Sequence, residues 1–314
     1  MWDQHCCLPL KPSASIAGVE RYVGVERAFM SINVGYAPHD SHQSIAMLRN
    51  FKAQLDATDT HCYTGTVEDI DNANLRGQVA VAFDLEDSNP LDGDLRNVAV
   101  FYDLGVRTLL PTYNYQNRAG SGCMDSTDHG LTAYGRDLVR EMNEVGMIVD
   151  ATHCSERASF DLIECSRTPV IFSHTGMSAV RDNQRNISDA QARACAESGG
   201  VVGIFGIGIF IGDNDSSLET MVRHIDHAVS VVGPDHVGIG SDYSFDLDDI
   251  NVELKQNANL FPEWMRKYDH VEMVAPEKYL KVGDSLRELG YSESDIEKIT
   301  DGNFRRIATQ VWRK

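Results

Sequence analysis

Eight apolar runs of strand length recur along the chain, and segments with helical periodicity separate them. The runs cover residues 2–8, 28–34, 79–85, 107–112, 147–151, 169–173, 200–206 and 236–241. Alternating strands and helices give a parallel sheet, and eight such units in roughly 250 residues suit a (β/α)8 barrel. The sequence therefore predicts an α/β fold, a distorted TIM-type barrel, with a doubly wound open sheet as the alternative.

The stretch 243–275 interrupts this rhythm, because it is polar and aromatic and follows the last predicted strand. In a barrel of this type, such a position lies beside the active site, so we expect the stretch to be a rim insertion. The chain has no linker rich in Pro, Gly or Ser. A single domain covering residues 1–314 is therefore the prediction.

Charge and cysteine content limit the partners and the cellular compartment that we expect for this chain. Lys and Arg number 28 against 47 Asp and Glu, giving a formal net charge of −19. An acidic surface repels phosphate backbones and anionic lipids, so we expect neither nucleic acid nor a membrane as a partner. No apolar stretch is long enough to span a bilayer, and the start lacks a signal-like pattern, which predicts a cytoplasmic protein. Seven scattered cysteines without Cys-x-x-Cys spacing indicate reduced thiols.

Five of the eight runs end in or just before a side chain of a metal-binding type: His5, Glu86, His153, His174 and Asp242. The carboxyl ends of parallel barrel strands meet at one face, so we expect these side chains to converge. Several imidazoles with carboxylates, one of them able to bridge, suit two divalent ions that share a hydroxide. The pattern predicts a metal-dependent hydrolase.

Six short motifs are spread along the chain: Thr168-Pro-Val-Ile-Phe-Ser-His174, Gln184-Arg185-Asn186, Gly130-Leu-Thr-Ala-Tyr-Gly-Arg136, the Asp-x-x-His of 150–153, Gly238-x-Gly-x-Asp242 and Gly302-Asn-Phe304. Together they resemble the renal (membrane) dipeptidase family of zinc peptidases, over about residues 2–310. The resemblance implies a barrel of the amidohydrolase-like class with one or two zinc ions, two being favoured. It also implies cleavage of dipeptides, often with a D-residue on the carboxyl side, and a homodimer.

The resemblance also implies a role for each of the five strand-end residues. Glu86 would bridge both ions, His153 and His174 would complete the shell of the second ion, and His5 would hold the first. Asp242 would lie beside the first ion and the bridging hydroxide, and would carry a proton from the nucleophile to the leaving amine.

Substrate contacts are implied for three further residues. Arg185 matches the arginine of the family that grips a substrate carboxylate, for which a planar guanidinium is well suited. From the residues alone, a surface arginine ahead of the helix N-cap Ser188 is the favoured alternative. Tyr113 and its neighbour Asn114 follow the fourth run, where a family histidine polarises the scissile carbonyl, and they are predicted to contact the substrate.

This chain departs from the family pattern at three places. The family reads His-x-Asp after its first strand, whereas this chain has His5-Cys6-Cys7. Cys7 is therefore either a thiolate ligand of the metal or a small buried apolar residue, and the sequence leaves both open. Tyr113 replaces the family histidine, and its phenol either donates to a developing oxyanion or only packs at the barrel mouth. Ile204-Phe205-Gly206 stands where family members can place a tyrosine.

Because of these departures, the natural substrate need not be a standard dipeptide. The main prediction is a zinc-dependent hydrolase that cleaves the amide bond of a dipeptide or a dipeptide-like small molecule. The alternatives are a family member that acts on another amide or a lactam, and a non-catalytic barrel that binds small molecules.

Overall fold

The computed structural model describes residues 1–313. Within them, the sheet contains ten strands: β1 (Trp2–Cys7), β2 (Phe29–Asn33), β3 (His61–Tyr63), β4 (Val79–Leu85), β5 (Val106–Leu109), β6 (Ile148–Asp150), β7 (Val170–Thr175), β8 (Val202–Ile204), β9 (Val237–Ile239) and β10 (Tyr243–Ser244). The α-helices are α1 (Ser41–Leu55), α2 (Val67–Leu75), α3 (Arg96–Leu104), α4 (Ala133–Val145), α5 (Glu156–Cys165), α6 (Asp189–Glu197), α7 (Gly208–Ile211), α8 (Leu218–Val232), α9 (Leu247–Gln256), α10 (Pro276–Tyr279), α11 (Val282–Glu288), α12 (Glu293–Glu297) and α13 (Asn303–Val311).

The strands form a closed parallel barrel. Their order is β10-β1-β2-β4-β5-β6-β7-β8-β9, and every pairing is parallel. Because β10 directly follows β9 in the chain and pairs with β1, the last barrel strand returns to the first. The predicted barrel is confirmed, and the open sheet is wrong because an open sheet leaves its first and last strands unpaired.

All eight predicted runs contain a barrel strand, and the eighth is continued after a short break by β10. The apolar runs did not predict β3, a three-residue strand that pairs only with the first half of β4. Since Tyr243 and Ser244 belong to β10, the stretch after the barrel begins later than predicted. We call residues 245–275 the rim segment; its main element is α9.

The amino end of the barrel is closed by α13. Phe304 and Ile307 of this helix pack with Trp2, Phe29 and other residues near the strand starts in one apolar cluster. Gly238 of β9 lies against the Phe304 ring, and a Cβ atom at this glycine would overlap the ring carbons. Two of the sequence motifs, one around Gly238 and one around Phe304, therefore meet in space and fix this end of the barrel.

We expect Gly238→Ala to lower the free energy of unfolding by about 1–3 kcal/mol, because overpacking forces the Phe304 ring or the strand to move. Urea denaturation of the purified variant measures this change. Gly302→Ala is the matched control, because a Cβ there would meet its nearest atom, Glu297 O, at an ordinary 3.6 Å. Equal effects of the two substitutions would show that the Phe304 contact is not the cause.

Candidate metal centre

Three imidazoles converge on one carboxylate at the carboxyl end of the barrel. The Nε2 atoms of His153, His174 and His5 lie 3.1, 3.4 and 3.7 Å from Glu86 Oε1. All four residues are buried. His5 Nε2 also lies 3.7 Å from Asp242 Oδ1, so the five residues predicted at strand ends do lie together.

The other ring nitrogen of each imidazole has a partner of its own. His5 Nδ1 lies 3.0 Å from Asp84 Oδ1, His153 Nδ1 lies 2.8 Å from Asn114 Oδ1, and His174 Nδ1 lies 2.8 Å from Ser173 Oγ. Such partners fix the ring orientation and, by occupying Nδ1, leave Nε2 for a metal ion. The three Nε2 atoms are therefore held in place for a shared ligand.

Glu86 is held from the opposite side. Asn33, the last residue of β2, donates from Nδ2 to Glu86 Oε2 at 2.6 Å. Burial raises the pKa of Glu86 to about 8, against the opposing effect of the nearby His5. A buried carboxylate of this kind is stabilised in its charged form by a cation.

The surroundings shift the pKa values of the three imidazoles in different directions. Burial lowers the pKa of His153 and His174 well below the ordinary value, and the positive charges of Arg185 and His5 lower it further. Burial alone would lower the pKa of His5 as well, but the adjacent Asp84 and other acidic groups raise it well above the ordinary value. The surroundings of His153 and His174 therefore favour the neutral imidazole, which is the form that binds metal.

Three residues of the site have a left-handed backbone: His153 with φ 64°, Asp242 with φ 54° and Asn114 with φ 46°. Each such residue costs about 1–3 kcal/mol unless its surroundings hold it, and such residues concentrate at functional sites. The Asp242 backbone is held because its N–H donates to His5 O at 2.9 Å. Burial raises the pKa of the Asp242 carboxyl.

Cys7 lies at the edge of the cluster. Its Sγ is 3.6 Å from His5 Nε2, and the residue lines the opening above the carboxylates. Burial raises the pKa of the Cys7 thiol to about 12, so the thiol is protonated unless a cation displaces the proton. The neighbouring Cys6 faces away and donates to Ser31 O at 3.3 Å.

Arg185 is buried, with 3% of its surface exposed, so the alternative of a surface arginine is wrong. Its Nη2 donates to His174 O at 2.9 Å and lies 3.1 Å from His153 Nε2. The guanidinium also lies over the Phe205 ring, 5.2 Å from the centroid. Phe205, which stands in the stretch where the family can place a tyrosine, thus supports the arginine from behind.

Tyr113 and Asn114 occupy different positions. The Tyr113 ring lies 4.3 Å from the His153 ring and lines the opening, and within residues 1–313 its hydroxyl has no hydrogen-bond partner. Both polar atoms of the Asn114 amide have hydrogen-bond partners. Oδ1 lies 2.8 Å from His153 Nδ1, and Nδ2 donates to Leu260 O of the rim segment at 2.9 Å. The geometry of Asn114 favours positioning of His153 over the predicted contact with substrate.

The residues that orient the imidazoles and Glu86 were not predicted from the sequence: Asn33, Asp84 and Ser173. Asp84 had a usable signal, because it stands two positions before Glu86 on β4, and alternate residues of a strand face the same side. Asn33 is the last residue but one of the second apolar run, so it is a polar residue near a predicted strand end like the five that were recognised.

The donor set fits a zinc centre. One ligand atom each of His5, Glu86, His174 and Asp242 lies within 4.8 Å of the others. Imidazole nitrogens and carboxylate oxygens are the usual zinc ligands, and several acidic groups buried together are stabilised by a divalent cation. The cluster is therefore a candidate metal centre on the chemistry of its residues.

Comparison with known sequences gives one family and several relatives. The model of the family described as membrane dipeptidase (peptidase family M19) matches residues 24–313. A Klebsiella pneumoniae relative, described as an uncharacterized protein in the pqqA 5′ region, is 31% identical over 283 residues, covering 87% of this chain and 96% of the relative. Dipeptidase 3 of Rattus norvegicus is 28% identical over 252 residues, covering 78% of this chain and 48% of the relative. The chain thus spans about half the length of that dipeptidase.

Two solved structures share the fold along almost the whole chain. An amidohydrolase from Pseudomonas aeruginosa has a TM-score of 0.89 at 23% identity, covering 99% of this chain and 96% of the other. A metallo peptidase from Rhodobacter sphaeroides, liganded with a phosphinate mimic of L-Ala-D-Ala, has a TM-score of 0.78 at 20% identity, covering 99% of each chain. Both likenesses establish the barrel fold.

Among residues 1–313, no helix combines the length and the apolarity that crossing a bilayer requires. The family match covers nearly the whole chain, and it agrees with the resemblance that the sequence motifs carry. The chain therefore belongs to the membrane dipeptidase family, a family of metal-dependent, dipeptidase-like hydrolases.

Proposed function

We propose that this protein hydrolyses the amide bond of a dipeptide or a dipeptide-like small molecule with the help of bound zinc. The observation that carries the proposal is the convergence of three Nε2 atoms on Glu86 Oε1, with each opposite ring nitrogen already engaged. A cytoplasmic location and a homodimer stay predictions from the sequence.

The motif resemblance implies a division of the ligands between two ions. Glu86 would bridge them, His5, Asp242 and Cys7 would hold the first, and His153 with His174 would hold the second. Bound zinc would supply a nucleophile by lowering the pKa of water, and would polarise the scissile carbonyl.

The surrounding side chains would then move protons and orient the substrate. Asp242, whose side chain is partly open to the cavity, would accept a proton from the attacking water and pass it to the leaving amine. Tyr113 would donate to the oxyanion from its hydroxyl. Arg185 would bind the substrate carboxylate with its guanidinium.

We expect Glu86→Gln to abolish dipeptide hydrolysis and to lower zinc affinity by more than the roughly 10–100-fold that loss of an outer partner causes. The amide keeps the shape of the side chain but loses the charge that would serve both ions. Elemental analysis after dialysis and turnover of a dipeptide panel with added zinc measure the two effects.

The control for Glu86→Gln is Glu144→Gln, a change in an exposed carboxylate that pairs with Arg167 and does not line the opening. Full zinc content without turnover of any dipeptide in the unaltered protein would refute the dipeptidase proposal, and would favour another amide or a lactam as substrate. Absence of zinc even after it is offered back would favour a non-catalytic binding barrel.

We expect the cobalt(II)-loaded protein to have a near-ultraviolet thiolate-to-cobalt charge-transfer band, because Cys7 Sγ lies beside His5 Nε2. Cys7→Ser should remove this band. Cys6→Ser is the matched control and should keep it, since Cys6 faces Ser31 instead of the cavity. A spectrum without the band in the unaltered protein would assign Cys7 to packing.

We expect Arg185→Ala to lower kcat/KM for dipeptides with a free carboxylate by about tenfold or more, as hydrogen bonds to a charged group contribute ~1.5–3 kcal/mol. Dipeptide amides, which lack the carboxylate, should lose much less. Steady-state kinetics on both series measure the difference, with the more exposed Arg181→Ala as control. Equal losses in both series would exclude a carboxylate clamp.

A further inference from the structure

The rim segment covers the metal centre with apolar side chains, several of which are only partly buried. None of the residues of α9 is fully buried, and the same holds for the two short 3-10 helices that follow it. Ile250 and Leu254 of α9, with Phe261 and Met265 farther along, instead line the opening above Glu86. Ile250 and Leu254 are four residues apart and share one face of α9. Their apolar surface is therefore directed at the cavity.

The opposite wall is apolar as well. Ile207, Ile209 and Phe210, which follow β8, line the same opening. This wall also anchors the rim segment, because Ile207 pairs with Met273 through a backbone bridge and the Phe210 ring lies 6.0 Å from the Trp264 ring. Apolar surface that faces an opening on two sides is characteristic of a ligand site.

The polar groups of the rim segment that line the opening already have partners. Asp249 pairs with Lys11 at 2.9 Å, and Glu253 accepts hydrogen bonds from Tyr36 and Asn257. Among the described residues that line the opening, Arg185 is the only Lys or Arg. The site therefore offers one strong contact for an anion, and apolar walls for the rest of a ligand.

We infer that the substrate is a dipeptide-like amide that carries one carboxylate and an aliphatic or aromatic side group, which the rim segment covers. This inference rests on the proposed function and specifies the substrate class of the same site. The carboxylate contacts Arg185, and the apolar group lies against Ile250, Leu254 and Phe261. A charged side group at that position loses its hydration among apolar side chains, so it is disfavoured.

The test is a comparison of dipeptides that differ only in the amino-side residue. Leucyl- and phenylalanyl-alanine are compared with glycyl-, aspartyl- and lysyl-alanine, each with L- and with D-alanine, on the zinc-loaded protein. We expect kcat/KM to be at least about tenfold higher for the apolar pair, since each methylene in an apolar pocket is worth roughly 10–200-fold in discrimination.

Leu254→Ser assigns this preference to the rim segment. We expect the ratio of kcat/KM for leucyl-alanine to that for glycyl-alanine to fall by about tenfold. The reason is that serine lacks the isobutyl group with which Leu254 lines one wall. Val252→Ser is the matched control on the same helix, since Val252 is 49% exposed and does not line the opening. This control should leave the ratio unchanged.

The outcomes separate the inference from the proposed function. Turnover of all the dipeptides with similar kcat/KM overturns the inference and leaves the proposed function intact. If no dipeptide is cleaved, the proposed function fails, and calorimetric titration with leucyl- and glycyl-alanine decides the inference. Binding of leucyl-alanine at least about tenfold tighter supports it, and equal binding overturns it.

Discussion

The pairing of β10 with β1 closes the barrel, and the candidate metal centre depends on this closure. At this seam the backbone N–H of Asp242 donates to His5 O at 2.9 Å. Asp3, on the same strand as His5, accepts from Ser241 N at 2.7 Å and from Ser241 Oγ at 2.6 Å, and it also accepts from two buried tyrosine hydroxyls. The buried Asp3 thus fixes the turn that presents Asp242 beside His5. The first strand, β1, and the last strand, β10, therefore form one side of the site.

The cluster concentrates polar groups where water is largely excluded, which costs desolvation free energy. The structure offsets this cost by engaging the far side of each group, through Asp84, Asn114 and Ser173 on the imidazoles and Asn33 on Glu86. The same exclusion of water strengthens electrostatic interactions inside the cavity, as hydrolysis of an amide requires. The rim segment belongs to this arrangement, because its apolar side chains cover the polar cluster. Through Leu260 and Asn114 the segment is also connected to His153.

The residues that match the family pattern and the residues that depart from it lie in different parts of the site. His153 and His174 belong to the motifs, and they contact Glu86 and each other. Cys7 and Tyr113 differ from the family pattern, and both line the opening. The changes are thus found where the first ion and the substrate would bind, which is why the proposals for this chain concern the softness of the first ion's ligands and the apolar character of the substrate.

The sequence by itself determined the barrel and the five strand-end residues, because periodicity and strand ends are local signals, and parallel strands bring their carboxyl ends to one face. Only the tertiary structure decided which atoms meet. From the neighbouring sequence alone, Arg185 is expected to be a surface residue before a helix. It is instead buried against His153, because the loop after β7 folds over the barrel end. Asn114 is likewise assigned to His153 by a contact between residues far apart in the chain. Such contacts depend on how separate loops pack, and local sequence patterns do not predict that packing.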